Sequence, residues 1–191
     1  MSTADREKWN QRYREGAYSD RTHASPILAD WIELVPFGKA LDVACGAGRN
    51  ALFLAAQGFD VDAVDISQEA LERAGLSAQQ LGLRVNWIEY DLDDPLTLDS
   101  VYQLILVIRY VNLPLIQELT ANLVPGGFLI CEQHLVTDKD VIGPTNANYR
   151  VKPGELRLLS EGLRVHHLEE GMVIDPDGQT AALARLVAQR I

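Results

Sequence analysis

The 191-residue chain has only two cysteines, Cys45 and Cys131. Two are too few for a disulfide framework and their spacing fits no metal-ligand set, so both read as buried small residues and no metal is expected. Cys45 lies where a helix should begin, a position that can make a thiol reactive. No apolar run approaches the length of a membrane span, and the opening MSTADREKW lacks the apolar core of a secretory signal, so a soluble cytoplasmic protein is expected. Basic residues are also scarce. Seventeen Lys and Arg stand against 27 Asp and Glu, a net charge of -10 that opposes a nucleic-acid partner, because such binding rests on cations neutralising phosphates. No linker-like stretch divides the chain, and a hydrophobic content of 47% is ordinary for one domain, 1–191, with a sizeable core.

What the chain does have is LDVACGAGRN, from Leu41 to Asn50. Ala40, Leu41, Val43 and Ala44 read as a buried parallel strand that runs into a glycine turn. Gly46 and Gly48 let the backbone bend tightly and approach a ligand, and Ala51, Leu52, Leu54 and Ala55 then supply the apolar face of a helix. Gly46, Gly48 and Ala51 also satisfy the dinucleotide fingerprint GxGxxG/A, with Asp65 at about the usual 20-residue distance. Asp42 decides between the ligands. A carboxylate on the strand leading into the turn would repel a pyrophosphate, whereas S-adenosylmethionine (SAM) has no phosphate and carries a sulfonium and an ammonium. An NAD-dependent oxidoreductase is therefore the weaker alternative. Asp42 could instead only organise the turn through backbone N–H groups.

The acids recur at strand ends. Phe59, Val61, Ala63 and Val64 form a second strand ending at Asp65, where a carboxylate can accept both ribose hydroxyls, and Ser67 caps the following helix. Val85, Trp87 and Ile88 form a third strand ending near Tyr90, Asp91 and Leu92, where a carboxylate can accept an adenine amino group. A fourth strand runs from Leu104 to Ile108. The turn Val124-Pro125-Gly126-Gly127 then feeds a fifth, Phe128 to Cys131. In open α/β sheets the carboxyl edge is where ligands bind. Many of the acids between Asp60 and Asp99 read simply as a solvated surface.

These segments resemble the class I SAM-dependent methyltransferases, and most closely their tellurite-resistance group. The similarity lies in THASPILADWI, LDVACGAGRNALFLAAQGFDVDAVD, PGGFLI and VKPGELRLLSEGLRVHHLEEG, which together cover most of the chain. It implies a single Rossmann-like α/β domain with a seven-stranded, mostly parallel sheet in the order 3-2-1-4-5-7-6, the last strand antiparallel and helices on both faces. It also implies SAM as cofactor, S-adenosylhomocysteine as product and Asp42, Ala44, Gly46, Gly48, Asn50, Asp65, Ile66, Asp91, Leu92 and Ile108 around the cofactor. Ala44 replaces a glycine common in the group, which fits if its φ stays negative.

Methyl transfer from SAM asks mainly for alignment of a nucleophile, and a base is needed only when the acceptor carries a proton. A soft anion needs cationic donors instead. Arg109 and Tyr110 after the fourth strand, Glu132 and His134 at the end of the fifth, and Arg150 are the candidates; Arg109, His134 and Arg150 are the expected catalytic set. Glu132 and His134 share a strand face with Ile130. The acceptor is expected to be a small molecule, with tellurite or selenite oxyanions and small thiols as first candidates. A SAM-binding regulator without catalysis would share every cofactor residue.

An N-terminal helix capped by Ser2 or Thr3 and ended by Gly16 sets Trp9 and Tyr13 four residues apart on one face. Residues 1–25 can thus form a lid over the cofactor, with His23 in the THASP segment beside it, or pack on the sheet edge. The stretch from Thr137 to Pro153 lacks periodicity and reads as a loop over the acceptor side, carrying Tyr149 and Arg150. A short helix follows at Pro153-Gly154-Glu155-Leu156. Leu163 to Glu169 and Thr180 to Arg190 should form a last antiparallel pair across Asp175-Pro176-Asp177-Gly178.

Overall fold

A computed structural model of the chain describes residues 3–98 and 100–191, so the Ser2 capping position and Asp99 lie outside the described residues. The elements are α1 (Thr3–Arg14), α2 (Pro26–Trp31), β1 (Lys39–Val43), α3 (Arg49–Ala56), β2 (Asp60–Asp65), α4 (Gln68–Leu81), β3 (Asn86–Glu89), β4 (Tyr102–Ile108), α5 (Leu113–Leu119), β5 (Leu123–His134), α6 (Glu155–Leu158), β6 (Leu163–Ile174) and β7 (Thr180–Arg190). One seven-stranded sheet has the order β3-β2-β1-β4-β5-β7-β6. The first five strands are mutually parallel, and β7 runs antiparallel to both β5 and β6. Sheet order and strand direction match the sequence expectation.

Alternation along each strand divides the core between the two faces. Leu41, Val43, Ile105, Val107, Leu129 and Cys131 pack with Leu115, Ile116 and Leu119 of α5 and Leu156 of α6. Ala40, Val61, Ala63, Leu104, Leu106 and Ile130 pack on the other face with Ile27 and Leu28 of α2, Leu54 of α3 and Leu71 of α4. The central strands β1 and β4 are buried on both faces, as their continuous apolar sequences require. The Ser67 hydroxyl caps α4 by accepting from the Ala70 N–H at 3.2 Å, and Gly82 ends that helix at φ 67°.

Two boundaries differ most from the sequence reading. Val124-Pro125-Gly126-Gly127 lies within β5, because Leu123 already pairs with Tyr102 while Phe128 pairs with Leu104. The four residues bulge out opposite Gln103, and a Cβ at Gly127 would sit 2.9 Å from the Tyr102 carbonyl oxygen. β6 extends to Ile174 rather than stopping at Glu169, since its partner β7 offers a ladder along the whole hairpin. Asp175 closes the hairpin, its N–H donating to Gln179 and its carbonyl accepting from Gly178.

Candidate active site

The carboxyl ends of β1 and β2 meet at the glycine turn. Gly46 and Gly48 have φ of 55° and 79°, and a Cβ on Gly48 would lie 2.6 Å from the Trp87 ring. Glycine is therefore required for both conformation and space at Gly48. Ala44 has φ 56°, in the left-handed region, which corrects the expectation of a negative φ. The turn imposes that geometry at a cost of about 1–2 kcal/mol for a residue bearing a Cβ, the reason glycine suits the position better.

Asp42 is buried, and its Oδ2 has no hydrogen-bond partner. Burial pushes its carboxyl up to about 7, against the opposing pull of Arg49 and the Ala51 N–H. An orphaned acid oxygen beside a glycine cradle calls for a donor from outside the fold. Asp65 ends β2 and is also buried. Its Oδ2 accepts from the Gly46 N–H at 2.8 Å and its Oδ1 from the Ser67 N–H at 2.9 Å. Burial raises its pKa, with those N–H groups opposing. Each carboxylate oxygen has a second lone pair, so Asp65 shapes the turn and still has acceptor capacity for a hydroxyl. Ile66, Leu92 and Ile108 are buried at successive strand ends, and Asp91 accepts from the Asp93 N–H at 3.0 Å. The Cys45 thiol is pushed well up by burial and by Asp65 and Asp42, which removes the reactive-thiol alternative; burial pushes Cys131 up to about 12.

Helix α1 lies across α4. Asn10 accepts from the Ser67 hydroxyl at 2.8 Å, and Arg14 pairs with Glu69 at 2.7 Å. Trp9 and Tyr13 share a face, their ring centroids 6.3 Å apart. The Tyr13 hydroxyl fills the space where a Cβ on Gly46 would project, and its pKa is raised by burial and by Asp65. The aromatic face thus overlies the glycine turn. Asn50 has a structural partner as well: its Oδ1 accepts from the Ser25 N–H at 2.8 Å and anchors the THASP segment to α3. Arg49 braces the same segment through the His23 carbonyl and the Ser25 hydroxyl, and the exposed His23 side chain lines the adjoining cleft.

The ends of β4 and β5 are built differently. Arg109, just past β4, has φ 60° and donates its N–H to the Glu132 carbonyl at 2.6 Å. Its guanidinium bonds Glu132 at 3.2 Å and Asp175 at 2.6 Å. Glu132 is buried and is held from the other side by Arg185 at 3.0 Å. Arg109 is therefore engaged by two carboxylates rather than presented as a free cation. A non-glycine residue in this conformation is strained, a feature that clusters at functional positions. Tyr110 follows it, pushed up to about 12 by burial.

Arg150 is engaged by its own loop. Its guanidinium donates to the Pro144 and Leu135 carbonyls at 2.7 and 2.8 Å, so it ties down the loop of residues 137–153. Tyr149 is half exposed, with the Lys8 ammonium 6.0 Å from its ring centre. His134 is buried under that loop, its Nδ1 without a partner and facing Gly143, where a Cβ would approach within 2.7 Å. Burial and the neighbouring Arg109 and Arg150 hold its pKa down at about 4, so the ring is neutral. Sequence reasoning missed Arg21, Arg49, Asp175 and Arg185, which converge here from four distant segments. The hairpin signal around Asp175 was read only as a turn. Among the described residues no group of side chains could hold a metal ion.

Sheet order and strand direction are those of the Rossmann-like fold found in SAM-dependent methyltransferases. Residues 40–127 match a family described as a methyltransferase domain. A ubiquinone biosynthesis O-methyltransferase of Rickettsia conorii is 32% identical over 125 residues, covering 61% of this chain and 43% of that protein. The chain thus spans less than half the length of that curated relative. TehB from Haemophilus influenzae superposes with a TM-score of 0.73 at 20% identity, over 97% of this chain and 67% of that one. A SAM-dependent methyltransferase from Aquifex aeolicus gives 0.68 at 18% identity, over 95% and 98%. These likenesses fix the fold.

Proposed function

We propose that the protein transfers a methyl group from SAM to a small-molecule nucleophile. The observation that carries this reading is the buried, unpartnered Asp42 oxygen beside the glycine cradle of Gly46 and Gly48. An ammonium or sulfonium satisfies that oxygen, whereas a pyrophosphate would be repelled by it. SAM supplies an already activated methyl. The chain's own residues hold and shield: Asp65 accepts hydroxyls at the end of β2, Asp91 does so for an amino group beyond β3, and Ile66, Leu92 and Ile108 exclude water. Helix α1 acts as a lid through Trp9 and Tyr13. Alignment of this kind can contribute roughly 7–11 kcal/mol towards the barrier.

For the acceptor we propose a small soft nucleophile, a tellurite or selenite oxyanion or a small thiol. The sequence resemblance to the tellurite-resistance group supports this, as do arginines gathered at the carboxyl edge of a chain whose net charge is -10. The Rickettsia conorii relative favours a second reading, a hydroxyl acceptor. The test has two stages. Calorimetry should show binding of SAM and S-adenosylhomocysteine and none of comparable strength for NAD or NADP; tight NAD binding without SAM would overturn the cofactor. Formation of S-adenosylhomocysteine should then be measured with tellurite, selenite, thiols, phenols and amines. Turnover of phenols alone would establish the hydroxyl reading, and tight SAM binding with no turnover would point to a regulator.

A further inference from the structure

A second concave feature lies beside the glycine turn, between the segment that follows α1, the ends of β1 and β4, and the tip of the β6–β7 hairpin. Arg21, Arg49 and Arg109 line it together with His23, Asp175 and Asp177. Three guanidiniums face two carboxylates, so the cleft keeps an excess of positive charge in a strongly acidic protein. Glu132, shared between Arg109 at 3.2 Å and Arg185 at 3.0 Å, enters together with Arg185 and so leaves that surplus in place. Arg21 holds Asp177 at 3.1 Å and Asp175 at 3.8 Å, while Arg109 holds Asp175 at 2.6 Å. Arg49 spends two donors on the His23 carbonyl and the Ser25 hydroxyl, and no described carboxylate lies within 4.0 Å of it. Burial and repulsion from Arg109 and Arg21 lower its pKa, against the weaker opposing pull of Glu132 and Asp42. The free space is about 10 Å³, room for one water and too little for a carboxylate.

We propose that this cleft is the anion-recognition site of the acceptor, and that Asp175 is a resident carboxylate which an acceptor anion displaces from Arg109. The inference rests on the methyltransferase reading above and adds to it a requirement: the acceptor carries a compact carboxylate or oxyanion. Three features make Asp175 suited to exchange. It sits on a hairpin tip rather than in a strand, its two arginines are only partly buried, and a carboxylate or oxyanion reproduces its hydrogen bonds to a guanidinium. The strained Arg109 backbone fixes the guanidinium at the β4 end whichever anion it holds. Because Arg21 also grips the hairpin, displacement of Asp175 would loosen the segment that joins α1 to the domain, coupling acceptor entry to the lid.

The test uses the full chain saturated with S-adenosylhomocysteine, with acetate and selenite as probes followed by calorimetry. The wild type should bind both weakly. Asp175→Ala, which removes the resident charge and opens space, should tighten binding at least tenfold, and adding Arg49→Gln to it should abolish the gain. Asp175→Asn serves as the second variant should the alanine variant not fold; it should tighten binding by a smaller factor, since only charge is removed. Equal affinity in wild type and both Asp175 variants overturns the displacement proposal. The same titration against the protein loaded with 5′-methylthioadenosine, which lacks the amino-acid tail, separates the two sources of a carboxylate. Anion binding there that disappears with S-adenosylhomocysteine would assign the arginines to the cofactor's own carboxylate and overturn the acceptor site. Cofactor binding measured in the same samples separates this failure from failure of the methyltransferase reading.

Discussion

The two halves of the carboxyl edge recognise charge by opposite means. At the ends of β1 and β2 the polar work is done by the backbone and by two acids only 23 residues apart, and one acid oxygen is left without a partner. At the ends of β4 and β5 it is done by side-chain ion pairs drawn from residues 21 to 185, with Arg109, Glu132, Asp175 and Arg185 already satisfying one another. A site preorganised by main chain and left unsatisfied is poised for one ligand type. A site whose groups are already paired must exchange an internal partner for its ligand, which makes its chemistry dependent on that exchange.

The largest effect that would sharpen this contrast is on stability. Glu132 is buried between Arg109 and Arg185, and removing one member of such a cluster leaves buried charge uncompensated. Glu132→Ala should lower unfolding free energy by about 3–5 kcal/mol in denaturant titrations, while SAM affinity of the folded fraction stays near wild type. A collapse of SAM affinity in folded protein would show that the two halves are one electrostatic unit.

Next comes recognition on the cofactor side. Asp65→Ala should weaken SAM binding roughly ten- to a hundredfold by calorimetry, since charge-assisted hydrogen bonds are worth about 1.5–3 kcal/mol. The Gly46 and Ser67 N–H groups lose their acceptor too, so a modest fall in melting temperature should accompany it. Unchanged affinity in a folded variant would mean that Asp65 only shapes the turn.

This difference in construction also explains what could be read in advance. Asp42, Gly46, Gly48 and Asp65 lie in one strand–turn–helix–strand unit, so their spacing in the chain nearly dictates their spacing in space. The hydrophobic alternation that sets the sheet is local in the same way, and strand order followed once the family resemblance was recognised. The arginine cleft has no such signal. Arg21, Arg109 and Asp175 meet only because α1, β4 and the β6–β7 hairpin pack together, and nothing in a one-dimensional pattern distinguishes a paired arginine from a free one. Arg150 shows the cost: as a cation in a loop expected to cover the acceptor it suggested anion binding, whereas the Pro144 and Leu135 carbonyls accept from its guanidinium. Ala44 failed for a related reason, since the left-handed conformation is imposed by the turn as a whole.

The smallest effect separates the halves by pH. Burial raises the Asp42 pKa to about 7 from an ordinary value near 3.8. Between those values the folded chain holds a proton that the unfolded chain releases, so this group lowers stability as pH rises from about 4 to 7 and adds no further change above. A cationic ligand favours the ionised carboxylate. SAM affinity should therefore increase by up to about tenfold between pH 6 and 7, then level off, with proton release on binding below pH 7. Asp65 is raised by burial as well, so the comparison with Asp42→Asn isolates the contribution of one acid. In that variant the rise should flatten, at a lower plateau affinity. Asp175 titrates in the opposite sense: burial pushes its pKa up, but Arg109 overrides this and holds it below the ordinary range, so the arginine cleft keeps its charges across the same interval. Equal pH dependence of SAM binding in wild type and Asp42→Asn would show that the unpartnered oxygen is not the cation receptor, and would remove the main physical distinction between the two halves.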